Sequence, residues 1–157
     1  MAHKFATAVN IQNRKAQFNY FISDTWEAGL ILTGTEIKAI REGKANINDA
    51  YCIFKQNDLW IKNMHISAYE DGGYSNHPPK RERKLLLHRY QLNRIQGKLK
   101  EKGVTLIPVR MYLNERGYAK LELGLARGKK LYDKRESIKS AEAKREVGRA
   151  LKNANKK

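Results

Sequence analysis

The chain has 157 residues, enough for one compact domain with an appendage and too few for two ordinary domains. Hydrophobic residues make up 41% of it, which excludes wholesale disorder. Lysine and arginine total 32 against 16 acidic residues, and the net charge of +16 predicts a polyanionic partner, nucleic acid ahead of an anionic membrane surface.

The first residues, Met1 to Thr7, lack the apolar stretch of a secretory signal. Segment 18–32 is rich in aromatic and β-branched residues and predicts one bent strand or two short ones, with Ser23-Asp24 and Gly29 as break points. Thr33-Gly34-Thr35 reads as a turn into a short helix capped by Thr35, with Glu36 at its positive end and Gly43 at its stop. Ile37 and Ile40 share one face of that helix, Lys38 and Arg41 another. Segments 46–54 and 59–66 read as a hairpin about Gln56-Asn57-Asp58. Cys52, the single cysteine, reads as a small buried hydrophobe; it allows no internal disulfide and no Cys-based zinc finger, and it favours a reducing, cytoplasmic setting. Asp71-Gly72-Gly73 and His77-Pro78-Pro79 bracket a loop.

Segment 85–102 predicts a helix, with Leu92, Ile95 and Leu99 on one face, Leu85 and Leu86 upstream and Gly103 as its stop. Segment 104–113 is strand-like but interrupted at Pro108, which implies an edge or a bulge. In segment 118–125, Ala119, Leu121, Leu123 and Leu125 alternate with Tyr118, Lys120, Glu122 and Gly124, the pattern of a half-buried strand. The sum is a mainly β fold of five or six antiparallel strands with two helices, for which an oligonucleotide-binding-like barrel or a sandwich is open. No apolar run approaches the ~20 residues of a membrane span.

Charge separates the chain further. Residues 1–79 and 111–126 are each neutral, whereas 80–110 and 127–157 each carry +8. The large apolar residues thin out after Tyr132, so the expected organisation is a β domain over 1–126 and a basic tail over 127–157, disordered when free. Within that tail Val147, Ala150, Leu151 and Ala154 fall on one helical face and Arg145, Arg149 and Lys152 on another, a helix expected to form where a polyanionic partner neutralises the stripe.

No catalytic or metal constellation is visible. His3, His65, His77 and His88 have neither paired spacing nor an adjacent carboxylate motif, and the acids are dispersed, which argues against a metal-dependent nuclease. Glu27, Glu36 and Glu42 suit either helix capping and ion pairing or acceptance of a base's exocyclic amine. Three basic clusters carry the positive reading: Asn13-Arg14-Lys15-Ala16, Lys80-Arg81-Glu82-Arg83-Lys84 leading to His88, and Gly128-Lys129-Lys130 leading through Tyr132 to Arg135. Arginine can fork onto phosphate and stack on bases, and the lack of a base-reading recognition helix favours folded or looped RNA over B-DNA.

In these clusters and between them the chain resembles the SsrA-binding protein (small protein B) family. The motifs that carry the resemblance are Asn13-Arg14-Lys15-Ala16, Glu27-Ala28-Gly29, Gly34-Thr35-Glu36-Ile37-Lys38, Arg41-Glu42-Gly43-Lys44-Ala45-Asn46, Asn76-His77, Arg83-Lys84-Leu85-Leu86-Leu87-His88, Lys102-Gly103-Val104-Thr105-Leu106, Gly128-Lys129-Lys130 and Asp133-Lys134-Arg135. The resemblance implies an oligonucleotide-binding-like β-barrel flanked by helices, a monomer without cofactor or enzymatic activity, and an adaptor role in bacterial trans-translation. It implies binding of the tRNA-like domain of transfer-messenger RNA, delivery with elongation factor Tu to stalled ribosomes, and a tail that enters the decoding centre and empty mRNA channel. It ties Asn13, Glu27 and Leu86 to RNA recognition, with Arg14, Lys15, Glu36, Lys38, Arg41 and Lys44 near that surface. It ties Gly128, Lys129, Lys130, Tyr132, Asp133, Lys134 and Arg135 to action on the ribosome. The competing expectation is a general basic ribosome-associated or tRNA-binding structural protein. If about 6 phosphates are neutralised on binding RNA, the slope of log affinity against log salt is expected at about −4 to −5 by filter binding, and a nearly flat dependence would assign the charge to another use.

Overall fold

A computed structural model describes residues 9–129, together with the helical and exposed Glu142 and Arg145. In chain order the elements are β1 (Asn10–Gln12), α1 (Arg14–Asn19), β2 (Tyr20–Leu30), α2 (Gly34–Arg41), β3 (Ala45–Asn46), β4 (Tyr51–Lys55), β5 (Asp58–Lys62), β6 (His65–Ile66), a short 3-10 segment (Glu70–Ser75), β7 (Arg83–Leu86), α3 (Arg89–Lys98), β8 (Val104–Leu113) and β9 (Ala119–Gly128). All pairings are antiparallel, and β8, β4, β5, β7, β2 and β9 form a ring that closes through the β8–β9 pairing, with β1 added to β8 and a separate β3–β6 pair. The fold is therefore mainly β with three α-helices over residues 9–129.

Local chemistry sets the element boundaries. The β4–β5 turn places Gln56 and Asn57 at φ 50° and 68°, the left-handed pair that matches the twist of a tight hairpin. The break expected at Ser23-Asp24 is a register irregularity between Ile22 and Thr25, inside one continuous β2, and Gly29 does not interrupt it. Pro108 marks a second irregularity, between Pro108 and Arg110 of β8. Alternation puts Met111, Leu121 and Leu123 inside the ring, where they meet Ile40, Ile61, Met64, Leu85, Ile95 and Leu106. Cys52 is buried there too, and desolvation pushes its thiol far above the usual range.

Three expectations are corrected. The helix expected over 85–102 is a strand followed by a shorter helix: Leu85 turns into the core and Leu86 out of it, both paired with β2, and the helix begins only after His88, whose amide donates to Gln91 Oε1 (3.1 Å). The strand expected from residue 18 begins only at Tyr20, because Arg14 to Asn19 are helical, capped by the Asn13 carboxamide, which accepts from the Ala16 amide (3.2 Å). The cap of α2 is Thr33, not Thr35; its hydroxyl accepts from the Glu36 amide while Glu36 Oε1 accepts from the Thr33 amide (2.9 Å), a reciprocal capping box.

Glu36 and Arg83, both named as candidate RNA-binding residues, are fully buried. Glu36 is ion-paired to Arg83 Nε and to Arg81 Nη2 (2.5 Å), and Arg83 donates onward to the carbonyls of Met64 (2.6 Å) and Pro79 (3.1 Å). Burial alone would raise the Glu36 carboxyl, but Arg81, the Thr33 amide and Arg83 together hold it below the ordinary carboxylate range. A depressed carboxylate stabilises the fold above its unfolded pKa, and that contribution is lost as pH falls through the folded value. Glu36→Ala leaves Arg83 buried and unpaired and is expected to cost about 3–5 kcal/mol in urea denaturation at neutral pH. The deficit relative to the parent chain is expected to shrink in acid, where the parent loses the same interaction.

Candidate nucleic-acid interface

Strand register assembles a polar surface that no single strand contains. Tyr112 pairs with Lys120, Lys120 with Gly29, and Gly29 with Leu86, a row across β8, β9, β2 and β7. Beside it Arg110 pairs with Glu122 and Glu122 with Glu27. Their neighbours Met111, Leu121, Ala28 and Leu85 are buried, so both rows lie on the outer face. Arg110 Nε donates to Glu122 Oε2 (2.7 Å) and its guanidinium lies 4.3 Å from the Tyr112 ring centre. The Tyr112 hydroxyl donates to Glu27, which stays exposed. Desolvation first, then the Glu27 carboxylate, push the Tyr112 hydroxyl up to about 12.

Gly29 leaves the first of these rows open. A Cβ there would sit 3.4 Å from Leu86 Cβ and 3.7 Å from Lys120 Nζ. A groove of about 380 Å³ results, lined by Glu27, Gly29, Leu86, Leu87, His88, Gln91 and Lys120. Leu86 is 50% exposed at its edge, and His88 stacks on the exposed Tyr90 with ring centres 5.6 Å apart. The groove thus offers an apolar contact, a cation, a carboxylate acceptor and an imidazole within one recess, a mixture suited to an RNA nucleoside and its phosphate.

Glu27, Leu86 and His88, expected separately, meet here. Lys84, also on β7, pairs with Asp58 (3.4 Å) away from this recess. Lys38 and Arg41 line a second cleft with Glu42 and Tyr69, and the Lys38 ammonium lies 5.6 Å from the Tyr69 ring centre. Arg41 Nη2 donates to the Gly117 carbonyl (3.4 Å), in the turn that joins the strands carrying Tyr112 and Lys120. Lys44 pairs with Glu42 (3.1 Å) and Glu70 (3.9 Å), which hold its ammonium above the ordinary value. Arg14 and Lys15 are exposed on α1. Asn13 is not: its Nδ2 donates to the Pro108 carbonyl (2.8 Å) and its backbone amide to that of Val109 (2.9 Å), which seats α1 on the β8 irregularity next to Arg110. Its carboxamide thus serves the fold, capping α1 and tying it to β8.

At the C-terminal end of the ring, Gly128 closes β9. Lys129 donates from its backbone amide to the Asn19 carbonyl (2.9 Å) and from Nζ to that of Gln17 (2.8 Å), and Arg127 pairs with Glu101 (2.6 Å). Arg145 is exposed; Lys130, Tyr132, Asp133, Lys134, Arg135, Arg149 and Lys152 lie outside the described residues. Sequence reasoning missed Arg110, Tyr112, Lys120 and Glu122. The alternation in 118–125 already put Lys120 and Glu122 on the wet face, but only the register brings them to Glu27.

The strand ring, whose outer face combines lysine, arginine, tyrosine, two glutamates and an exposed leucine, defines a mainly β protein with a mixed polar and apolar surface across four strands. The SmpB protein family matches residues 10–153, and the chain belongs to that family. An SsrA-binding protein of Moorella thermoacetica is 54% identical over 144 residues, covering 92% of this chain and 93% of its own. One of Cytophaga hutchinsonii is 56% identical over 141 residues, covering 90% and 92%. A solved structure described as "tmRNA-SmpB: a journey to the center of the bacterial ribosome" contains a chain 46% identical, with a TM-score of 0.69 over 83% of this chain and 94% of that one. SmpB is an RNA-binding family, not a known enzyme family. No helix among the described residues is long and apolar enough to cross a membrane.

The Tyr112–Glu27 contact is open to direct test. One tyrosine of the parent protein is expected to titrate near pH 12 in the ultraviolet tyrosinate band. In Glu27→Gln that transition should move down toward the ordinary tyrosine value of about 10, since the charge that opposes ionisation is gone.

Proposed function

We propose that this protein binds the tRNA-like domain of transfer-messenger RNA and brings it to stalled ribosomes in trans-translation. The observation that carries the reading is the register-built groove, which joins Glu27, Leu86 and His88 to Lys120. Family membership and the likeness to the tmRNA-SmpB structure support it. The closed strand ring is read as an oligonucleotide-binding-like barrel that meets RNA with the outer surface of β2, β7, β8 and β9. Lys38, Arg41 and Lys44 extend the phosphate-binding area on one side, and Arg14 and Lys15 on another.

The chain acts as a cytoplasmic monomer without cofactor, inside a delivery complex that includes elongation factor Tu. Residues 1–126 grip RNA. The segment 127–157, with its +8 charge, occupies the decoding centre and the vacant mRNA channel, using Gly128, Lys129, Lys130 and the run from Tyr132 to Arg135, with Arg145, Arg149 and Lys152 on a helical stripe.

The two roles are expected to separate. Truncation after Tyr132 should hold transfer-messenger RNA affinity within about tenfold, ~1.4 kcal/mol, while abolishing peptide tagging in a reconstituted stalled-ribosome assay. Glu27→Ala should weaken RNA binding first. Binding to transfer-messenger RNA no tighter than to an ordinary tRNA at equal salt would sink the proposal in favour of a general tRNA-binding protein.

A further inference from the structure

Glu27 works against the fold. Its Cα partner across the β2–β9 ladder is Glu122, and like charges directly opposite on a sheet repel. Arg110 answers only one of the two. It lies opposite Glu122 in the β8–β9 ladder, and its Nε donates to Glu122 Oε2 (2.7 Å). Glu27 makes no ion pair among the described residues. The contact it does make is with a neutral group, the Tyr112 hydroxyl, which donates to Glu27 Oε2.

That contact is built over a long reach. Tyr112 and Glu27 stand in different rows, on strands with β9 between them, so the two side chains meet diagonally across a whole strand. Two strand spacings come to about 10 Å, a gap that the hydroxyl of a serine or threonine could not close. The phenol is itself held, because the Arg110 guanidinium lies 4.3 Å from its ring centre and is anchored by Glu122. Four residues on three strands thus form one relay, from Glu122 through Arg110 and Tyr112 to Glu27. Desolvation first, then the Glu27 charge, push the phenol up to about 12, so it stays a donor at any pH that RNA tolerates.

A neutral donor does what a cation could not. It ties one carboxylate oxygen and so removes rotamer freedom before a ligand arrives. It leaves the negative charge uncancelled and the second oxygen, Oε1, open to accept. A lysine or arginine in its place would fix the side chain and neutralise it together.

We propose that Tyr112 is a positioning residue for RNA recognition: without touching RNA it holds Glu27 fully charged with Oε1 free, and Arg110, anchored by Glu122, holds Tyr112 in turn. The proposal deepens the RNA-binding reading above and rests on it. A carboxylate kept in this state selects the exocyclic amine of a base and rejects a carbonyl edge.

The test is a double-mutant cycle on the full-length chain with transcribed transfer-messenger RNA. Tyr112→Phe is measured in the parent and in Glu27→Ala, with each melting curve checked. Tyr112→Phe is expected to weaken binding about threefold to tenfold in the parent and less than about twofold in Glu27→Ala, where no carboxylate is left to hold. The slope of log affinity against log salt stays that of the parent, because no phosphate contact is lost. Equal losses in the two backgrounds, or a shallower slope, mean that the tyrosine meets RNA itself and overturn the positioning role. Unchanged affinity of Tyr112→Phe in the parent, with Glu27→Ala still weakened, also overturns it and leaves the proposed function standing. Glu27→Ala that binds like the parent overturns the groove reading and the positioning role together. Should Tyr112→Phe melt early, Arg110→Met run through the same cycle decides: a loss confined to the background that keeps Glu27 supports the relay, and a loss that persists in Glu27→Ala overturns it.

Discussion

The buried ion pair between Glu36 and Arg83 is the constraint on which the rest of this architecture depends. A carboxylate and a guanidinium placed in a core cost several kcal/mol each in lost hydration, so they persist only where further hydrogen bonds complete their shells. Here those bonds are supplied by separate parts of the chain: Arg81, the Thr33 amide, and the carbonyls of Met64 and Pro79. One charge pair therefore fixes the start of α2, the strand β7 and the two loops that flank it. His77 reinforces the same junction, with Nε2 on the Ile66 carbonyl and Nδ1 on the Thr35 hydroxyl, each at 2.9 Å. A hydrophobic replacement could fill the volume, but it would not specify which loop meets which helix.

Register then converts that rigidity into a surface. Side chains on a strand alternate between faces, so a one-residue slip of β9 would send Lys120 and Glu122 inward and expose Leu121 and Leu123, and a slip of β2 would turn Glu27 inward. The Asn13 contacts at Pro108 and Val109 matter for this reason, because they sit on the irregularity that sets where Arg110 falls.

Much of this architecture is legible in the amino-acid sequence. The alternation in 118–125 marks β9, Gln56-Asn57 the hairpin, Pro108 the disturbance in β8, and Cys52 its own burial. Sequence reasoning fails where two physical signals share one residue pattern. Leu85-Leu86-Leu87 adjoins a genuine helical stripe, and only pairing with β2 reveals the first two as strand. Arg83 and Glu36 look like surface charges, because sequence carries no mark of a partner 47 positions away. The site is half legible for the same reason: Glu27, Leu86 and His88 stand out one at a time, while Arg110 and Tyr112 gain meaning only from neighbours across a strand pair.

The way β9 ends has a mechanical corollary. Arg127 is tied to Glu101, and Lys129 holds the C-terminal end of α1 through Gln17 and Asn19. A pull applied beyond Lys129 would not peel the strand away bond by bond. It would load β9 lengthwise between β2 and β8, so that many ladder bonds resist in shear, while the lysine clasp passes part of the tension into α1. A load carried past Lys129 would therefore reach α1 as well as the two strands that flank β9.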